Sequence, residues 1–222
     1  MKWKLLHYSA IWALLLFVFS AVIEFHSFHF SFYKQQYQQL NVASTIGVSK
    51  EELYQVTNHL LQYIQGKQED LMIQATIDGK QDFFFNQKEI DHMVDVKDLY
   101  TKMKWVQYGS CMYVMVVLAI SMKQKKMKAW YQAYIQHTHY FMMIVGGLGF
   151  YILMDFQQFW YQFHTVFFTN DLWLLDPSVD RLIMMVPSAF FNQLVLRILL
   201  SFLVIFLMLY VFSRYQVKRS VK

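Results

Sequence analysis

Long apolar runs alternate with mixed polar stretches along this chain, and the two patterns predict different surroundings. Four runs approach the roughly 20 apolar residues that cross a hydrocarbon core of about 30 Å. They fall at 5–23 (LLHYSAIWALLLFVFSAVI), 105–122 (WVQYGSCMYVMVVLAISM), 139–156 (HYFMMIVGGLGFYILMDF) and 194–213 (LVLRILLSFLVIFLMLYVFS). Each reads as a spanning helix. The first follows Lys2 and Lys4 as a signal peptide would, but it is longer than a typical signal core and no small-x-small cleavage site follows, so it reads as a retained anchor.

Between the first two runs the periodicity changes. Residues 49–65 open with Ser49 and Glu52, a capping-box pair, and place Leu53, Val56, Leu60, Leu61 and Ile64 at helical spacing, with Gly66 as the stop. Residues 71–85 (LMIQATIDGKQDFFF) alternate apolar and polar positions around Asp78-Gly79, which predicts a hairpin. Two strands cannot make a core alone and must pack on helices or on a membrane surface. Asn86 and Glu89 form a second capping box, opening a helix over 89–100 that runs towards the second span. In 156–168, Phe156, Phe159, Trp160, Phe163 and Phe167 make one apolar stripe, with His164 at its edge beside Gln157 and Tyr161. Asp176 and Pro177 suit the cap and first turn of a further short helix reaching towards Pro187. The fold class is therefore mainly α, a four-helix transmembrane bundle with a small mixed α+β extracytoplasmic cap.

Composition agrees with a membrane protein: 56% of residues are hydrophobic and only 16% charged, against about a quarter charged in soluble domains. Charge sets the orientation. Lys2 and Lys4, the cluster Lys123, Lys125, Lys126 and Lys128, and Arg214, Lys218, Arg219 and Lys222 fall on one side, the cytoplasm under the positive-inside rule. All fifteen acids lie in 24–98 or 155–180, on the other side or its boundary. The expected organisation is a span over 1–23 with a cytoplasmic N-terminus, an outer cap over 24–104 and a second span over 105–122. A basic cytoplasmic loop over 123–138, a third span over 139–156, an outer segment over 157–193, a fourth span over 194–213 and a cytoplasmic tail over 214–222 follow. The net charge of +5 is then mostly topology, and anionic inner-leaflet lipid is a sufficient partner for it, with no nucleic acid implied.

The residues that carry chemistry are few. A single cysteine, Cys111, excludes disulfide-exchange enzymes and, inside an apolar span, reads as packing. There is no Gly-x-Ser-x-Gly elbow and no His-Glu-x-x-His; His26 and His29 offer only two ligands, so neither a serine hydrolase nor a metal site is expected. His92 stands between Glu89 and Asp95 at i−3 and i+3, either of which suits orientation of its ring or stabilisation of its cation. His164 sits among outer aromatics. Each histidine has two readings from spacing alone: a solvated or interfacial residue, or a proton carrier. Glu24, Asp155 and Arg197 lie at the outer ends of spans, where an Arg197 ion pair with Asp155 or Glu24 is the plain reading and a substrate-facing arginine the alternative. Gly146, Gly147 and Gly149 suit close helix packing.

Two segments together, EIDHMVDVK (89–97) and FHTVFFTNDLWLLDPSVDRLIMMVPSAFF (163–191), resemble the lipoprotein intramolecular transacylase family of Gram-positive bacteria. The order of spans and the two outer segments are similar as well, over nearly the whole chain. The resemblance implies that the sn-2 acyl chain of a diacylglyceryl-cysteine lipoprotein moves to the α-amino group of the same cysteine, giving the lyso form without a cofactor. It places catalysis on His92 and His164. Asp95 is expected to orient His92, and Trp173 and Arg197 to frame the pocket. The rivals are a non-catalytic receptor or lipoprotein-binding protein, and a lipid ester hydrolase.

Overall fold

The computed structural model describes residues 2–220, with Lys2 as backbone only; Lys222 and the side chain of Lys2, counted above among the basic residues, lie outside the described residues. The chain is mainly helical: α1 (Lys2–Ser27), α2 (Phe30–Gln39), α3 (Val42–Ile46), α4 (Lys50–Ile64), β1 (Gln74–Ile77), β2 (Lys80–Phe83), α5 (Gln87–Lys123), α6 (Met127–Met154), α7 (Phe156–Phe167), α8 (Arg181–Met185) and α9 (Ser188–Arg219). It divides into two compact units. One comprises 1–25, 103–156 and 196–222, and the other 26–102 and 157–195.

The first unit carries the apolar helices. Leu16, Met112, Met115, Met143, Phe150, Val204 and Met208 are exposed on it, as expected of surfaces whose solvent is lipid. α1, α5 and α9 are each long and apolar enough to cross a membrane, and α6 reaches that measure together with α7 beyond Asp155, which gives three or four spans. The third apolar stretch belongs to a helix that starts at Met127, so most of the expected loop 123–138 is helical. The connection shrinks to Gln124–Lys126, where Lys125 adopts φ 54°. Phe141, Phe202 and Phe206 pack together, and Tyr134 donates to the Phe206 carbonyl at 3.0 Å. Lys104 donates to both Glu24 oxygens, at 2.9 and 2.8 Å, a partner that the sequence reading did not give Glu24.

The second unit is built from local signals in the sequence. Ser49 caps α4 by accepting from the Glu52 amide at 3.2 Å. The reciprocal half of this box differs from expectation: Glu52 accepts from the Ser49 hydroxyl and from the Thr76 amide, at 2.8 Å in each case, and so ties α4 to β1. The two strands are antiparallel with Ile77 opposite Lys80. Asp78 (φ 49°) and Gly79 (φ 79°) make the primed two-residue turn that matches strand twist. β1 buries Ala75 and Ile77 while β2 is exposed throughout, so the hairpin rests on helices by one strand only. Gly47, at φ 80°, accepts at its carbonyl from the Asp78 amide at 2.9 Å, which joins the end of α3 to the turn. Residues 30–46, unassigned by periodicity, form α2 and α3, and the α2 aromatics Phe32, Tyr33 and Tyr37 pack around Phe190. The helix expected from Asp176 starts later: 176–179 is a turn, and α8 begins at Arg181, with the Asp180 carboxylate used elsewhere and not as its cap.

Candidate active site

α5 begins at a fully formed capping box. The Asn86 amide donates to Glu89 Oε2 at 2.7 Å, and the Glu89 amide donates to Asn86 Oδ1 at 3.0 Å. The remaining polar atoms of the pair reach across to the segment before α9. Asn86 Nδ2 donates to Asp180 Oδ1 at 2.7 Å, and Glu89 Oε1 accepts from the Leu182 amide. Lys88 donates to the Leu174 carbonyl, and Asp180 Oδ2 accepts from the Asp176 amide at 2.7 Å. Glu89, at 1% exposure, is thus committed to structure and leaves no oxygen for His92. Burial pushes its carboxyl up, against hydrogen bonds from the Leu182 and Asn86 amides that favour the charged form. One turn beyond Glu89, on the same side of α5, the helix carries His92.

His164 arrives from α7. His164, expected at the edge of the stripe, is the buried residue of this helix, while Tyr161, Val166 and Phe167 are exposed. The histidine at the edge of the aromatic stripe is the one that turns inward. Its Nδ1 lies 2.7 Å from the Trp160 carbonyl. A carbonyl only accepts, so Nδ1 bears the proton and Nε2 presents a lone pair. Trp173 stacks on the ring at 4.9 Å and 25°.

The two imidazoles meet with ring centroids 6.2 Å apart. Phe168 touches both, at 5.3 Å from His92 and 5.6 Å from His164. His92 and His164 are 7% and 8% exposed. Both belong to the second unit, outside the apolar stretch of α5 that begins at residue 105 and the one that ends with α6. Burial, then the neighbouring His164 and Lys88, pull His92 down to about 4, against the charge of Asp95, which favours the cation. Burial also lowers His164, against the favourable Trp160 carbonyl. The pair is therefore neutral near pH 7. His92 Nδ1 is buried with no hydrogen-bond partner.

His92, His164, Asp95 and Trp173 all belong to the second unit, where the two histidines, with Trp173 against His164, form one cluster; Arg197 belongs to the first, half-buried on α9. Asp95 reaches His92 through its charge and not by a hydrogen bond. Its Oδ2 instead accepts from Asn170 Nδ2 at 2.8 Å. The sequence reading missed Asn170, Phe168 and Asp180 as parts of the site. Only the polar run Thr169-Asn170-Asp171 within an aromatic stretch marked the place. Cys111 is half-buried in α5, and His26 and His29 fall at the end of α1 and the cap of α2. Among the described residues no cluster of three or more His, Cys, Asp or Glu is arranged to hold a metal ion.

A family model described as lipoprotein intramolecular transacylase Lit matches residues 8–191. The fold is that of the membrane integral lipoprotein intramolecular transacylase Lit from Bacillus cereus: TM-score 0.84 at 22% identity over 99% of this chain and 97% of that one. Two single-histidine variants of that protein, to alanine and to arginine, match with TM-score 0.78 at 21% identity over 99% of this chain and 95% and 93% of theirs. No curated protein sequence matches. With the family model covering most of the chain, this protein belongs to the Lit family of lipoprotein intramolecular transacylases.

Proposed function

We propose that this protein moves the sn-2 acyl chain of a diacylglyceryl-cysteine lipoprotein onto the α-amino group of the same cysteine, with His92 and His164 as the acid–base pair. The observation that carries the reading is the pair itself: two buried, neutral imidazoles 6.2 Å apart, one with a defined lone pair and neither consumed by the fold. The α-amine of a free N-terminus has a pKa of about 7.7–8.0 and attacks only when neutral. His164 Nε2 accepts a proton from the amine as nitrogen bonds to the ester carbonyl. The tetrahedral intermediate then collapses: the carbon–oxygen ester bond breaks, and His92 and His164 between them return one proton to the departing glycerol oxygen. An ammonium form gives up one further proton to solvent beforehand.

Nucleophile and ester belong to one molecule, joined through a cyclic transition state of roughly eight atoms, so orientation replaces an enzyme nucleophile. No acyl-enzyme is required. The walls of Phe168, Trp160 and Trp173 favour transfer over hydrolysis by limiting access of water to the intermediate. On this reading the second unit and the acidic residues face outwards and both termini are cytoplasmic, as the distribution of lysine and arginine indicates. The exposed Val166 and Phe167 of α7 suit contact with the acyl region in which the substrate ester lies. The four apolar stretches then act as spans.

The test uses purified protein and a synthetic diacylglyceryl-cysteine peptide with a free N-terminus. Transfer conserves mass, so the readouts are loss of amine reactivity and fragmentation that locates the acyl chain. A blocked amine at constant mass, absent in His92→Ala and His164→Ala, is the expected result. A free amine at unchanged mass would turn the reading to a binding protein, and loss of an acyl mass to a hydrolase.

A further inference from the structure

A carboxylate one helical turn from an unpaired histidine nitrogen would ordinarily close on it, since an aspartate–imidazolium pair satisfies both groups. Here that pair has not formed. His92 Nδ1 is buried without a partner, while Asp95, at i+3 on the same helix, spends Oδ2 on Asn170 Nδ2 at 2.8 Å. The Asn170 amide is oriented for this from its other end, because its Oδ1 accepts from the Leu172 amide at 3.1 Å. An oxygen that accepts from a backbone N–H leaves the NH₂ group to face Asp95. Asn170 thus joins positions 75 residues apart in sequence.

We propose that Asn170 is a positioning residue of the active site: its amide holds the Asp95 carboxylate off the bare Nδ1 of His92, so that His92 remains a neutral imidazole whose unpaired nitrogen is left for the substrate. The inference rests on the reading of His92 and His164 as an acid–base pair. The charged and titratable groups facing His92 are Asp95 and Lys88 from α5 and His164 from α7. Lys88 and His164 oppose a cation at His92, and Asp95 favours it. Asp95 is therefore the group whose position decides the balance. A cationic His92 would also resist the arrival of the amine's proton on His164, 6.2 Å away between ring centroids. Aspartate at position 170 would repel Asp95, and alanine would release it.

The experiment follows the His92 titration by NMR in the full-length protein with ¹⁵N-labelled histidine, assigning the resonance by its loss in His92→Gln. In the wild type His92 stays neutral between about pH 5 and 8, the physiological range in which an ordinary histidine titrates. In Asn170→Ala, Asp95 turns to Nδ1 and the midpoint rises by ~1–3 units. In the double variant Asn170→Ala/Asp95→Asn it returns to the wild-type position. Position 170 is exposed and Asp95 half-buried, so neither change removes a core side chain. Transfer on the diacylglyceryl-cysteine peptide should follow: the acid limb of the rate profile moves up with the Asn170→Ala midpoint, costing up to about fourfold at pH 6.5. The second substitution restores it, which a merely structural loss at Asn170 would not allow. An unmoved midpoint in Asn170→Ala, or a shift that persists in the double variant, overturns the proposal. If the wild type moves no acyl chain the transacylase reading falls, and the titration still decides the role of Asn170.

Discussion

In each of the two units of this molecule a pair of buried or half-buried histidines stands among aromatic rings. In the first unit, His7 is 1% exposed between Trp3 and Trp130, with Nε2 3.0 Å from Ser121 Oγ. Ser121 donates to the Val117 carbonyl at 2.7 Å, so the chain of hydrogen bonds ends in backbone. His137 lies against Tyr8, Trp12 and Tyr140 and leaves Nδ1 unpartnered. In the second unit, His92 and His164 face each other. The comparison separates three conditions that burial alone confuses. A buried histidine such as His7, bound to a serine and facing no second imidazole, is structural. An unpartnered nitrogen by itself is a local deficit. Two imidazoles together, one with a fixed tautomer and one with an open nitrogen, can pass a proton between groups of a substrate.

The largest expected effect breaks that contrast directly. His164→Ala and His92→Ala should each lower transfer by about 10²–10⁴-fold, the usual worth of a general acid or base. His7→Ala should keep transfer within about threefold of wild type while lowering the melting temperature through the cavity it leaves. Equal losses in all three, measured by capture of the free amine, would erase the distinction.

Next in size is the frame that holds His92. Glu89→Ala leaves the Asn86 and Leu182 amides without their acceptor and should cost about 2–4 kcal/mol of stability. Thermal unfolding in detergent checks it; a change in melting temperature under about 2 °C would mean that the frame is not needed.

The acid response sharpens the comparison further. His92 is held down to about 4 in the folded chain against an ordinary 6.5, so between those values the unfolded chain binds the extra proton. The contribution is fully present above pH 6.5 and is lost as the pH falls towards 4, amounting to about 2–3 kcal/mol at the acid end. His164, lowered by the same cause, adds in the same direction. Stability measured from about pH 7 to 4 should fall, and His92→Gln should flatten that fall.

The smallest effect concerns the wall. Trp173→Ala should lower transfer by about tenfold through loss of the ring stacked on His164, and Trp173→Phe should keep most of it.

Much of the second unit was legible in the sequence because its determinants are local. Ser49-Glu52 and Asn86-Glu89 cap the helices that they announce, and Asp78-Gly79 makes the predicted turn. Where the reading erred, a distant partner had claimed a local group. Glu52 answers to Thr76 as well as to Ser49, and Asp180, the residue before α8, gives its carboxylate to Asn86 and to the Asp176 amide and does not cap the helix. The α7 helix was correct in extent, and His164 at the edge of its stripe turns inward while Phe167 of the stripe is exposed. Hydrophobicity predicts that phenylalanine goes inside and histidine to the edge, and that rule presumes water outside. Phe167 is 51% exposed, as an apolar side chain can be where the surroundings are lipid.

By itself the sequence determined what short-range chemistry determines: the apolar lengths that make this a membrane protein, the caps, the hairpin, and the charge asymmetry from which an orientation is read. Resemblance of two motifs named the family, and so singled out the two histidines. Only the tertiary structure decided that positions 92 and 164 lie with rings 6.2 Å apart, that Trp160 fixes one tautomer, and that Asn170 hydrogen-bonds Asp95. The physical reason is range. A cap or a turn is fixed by neighbours within four residues, whereas the state of an imidazole depends on which groups the whole fold brings to its two nitrogens.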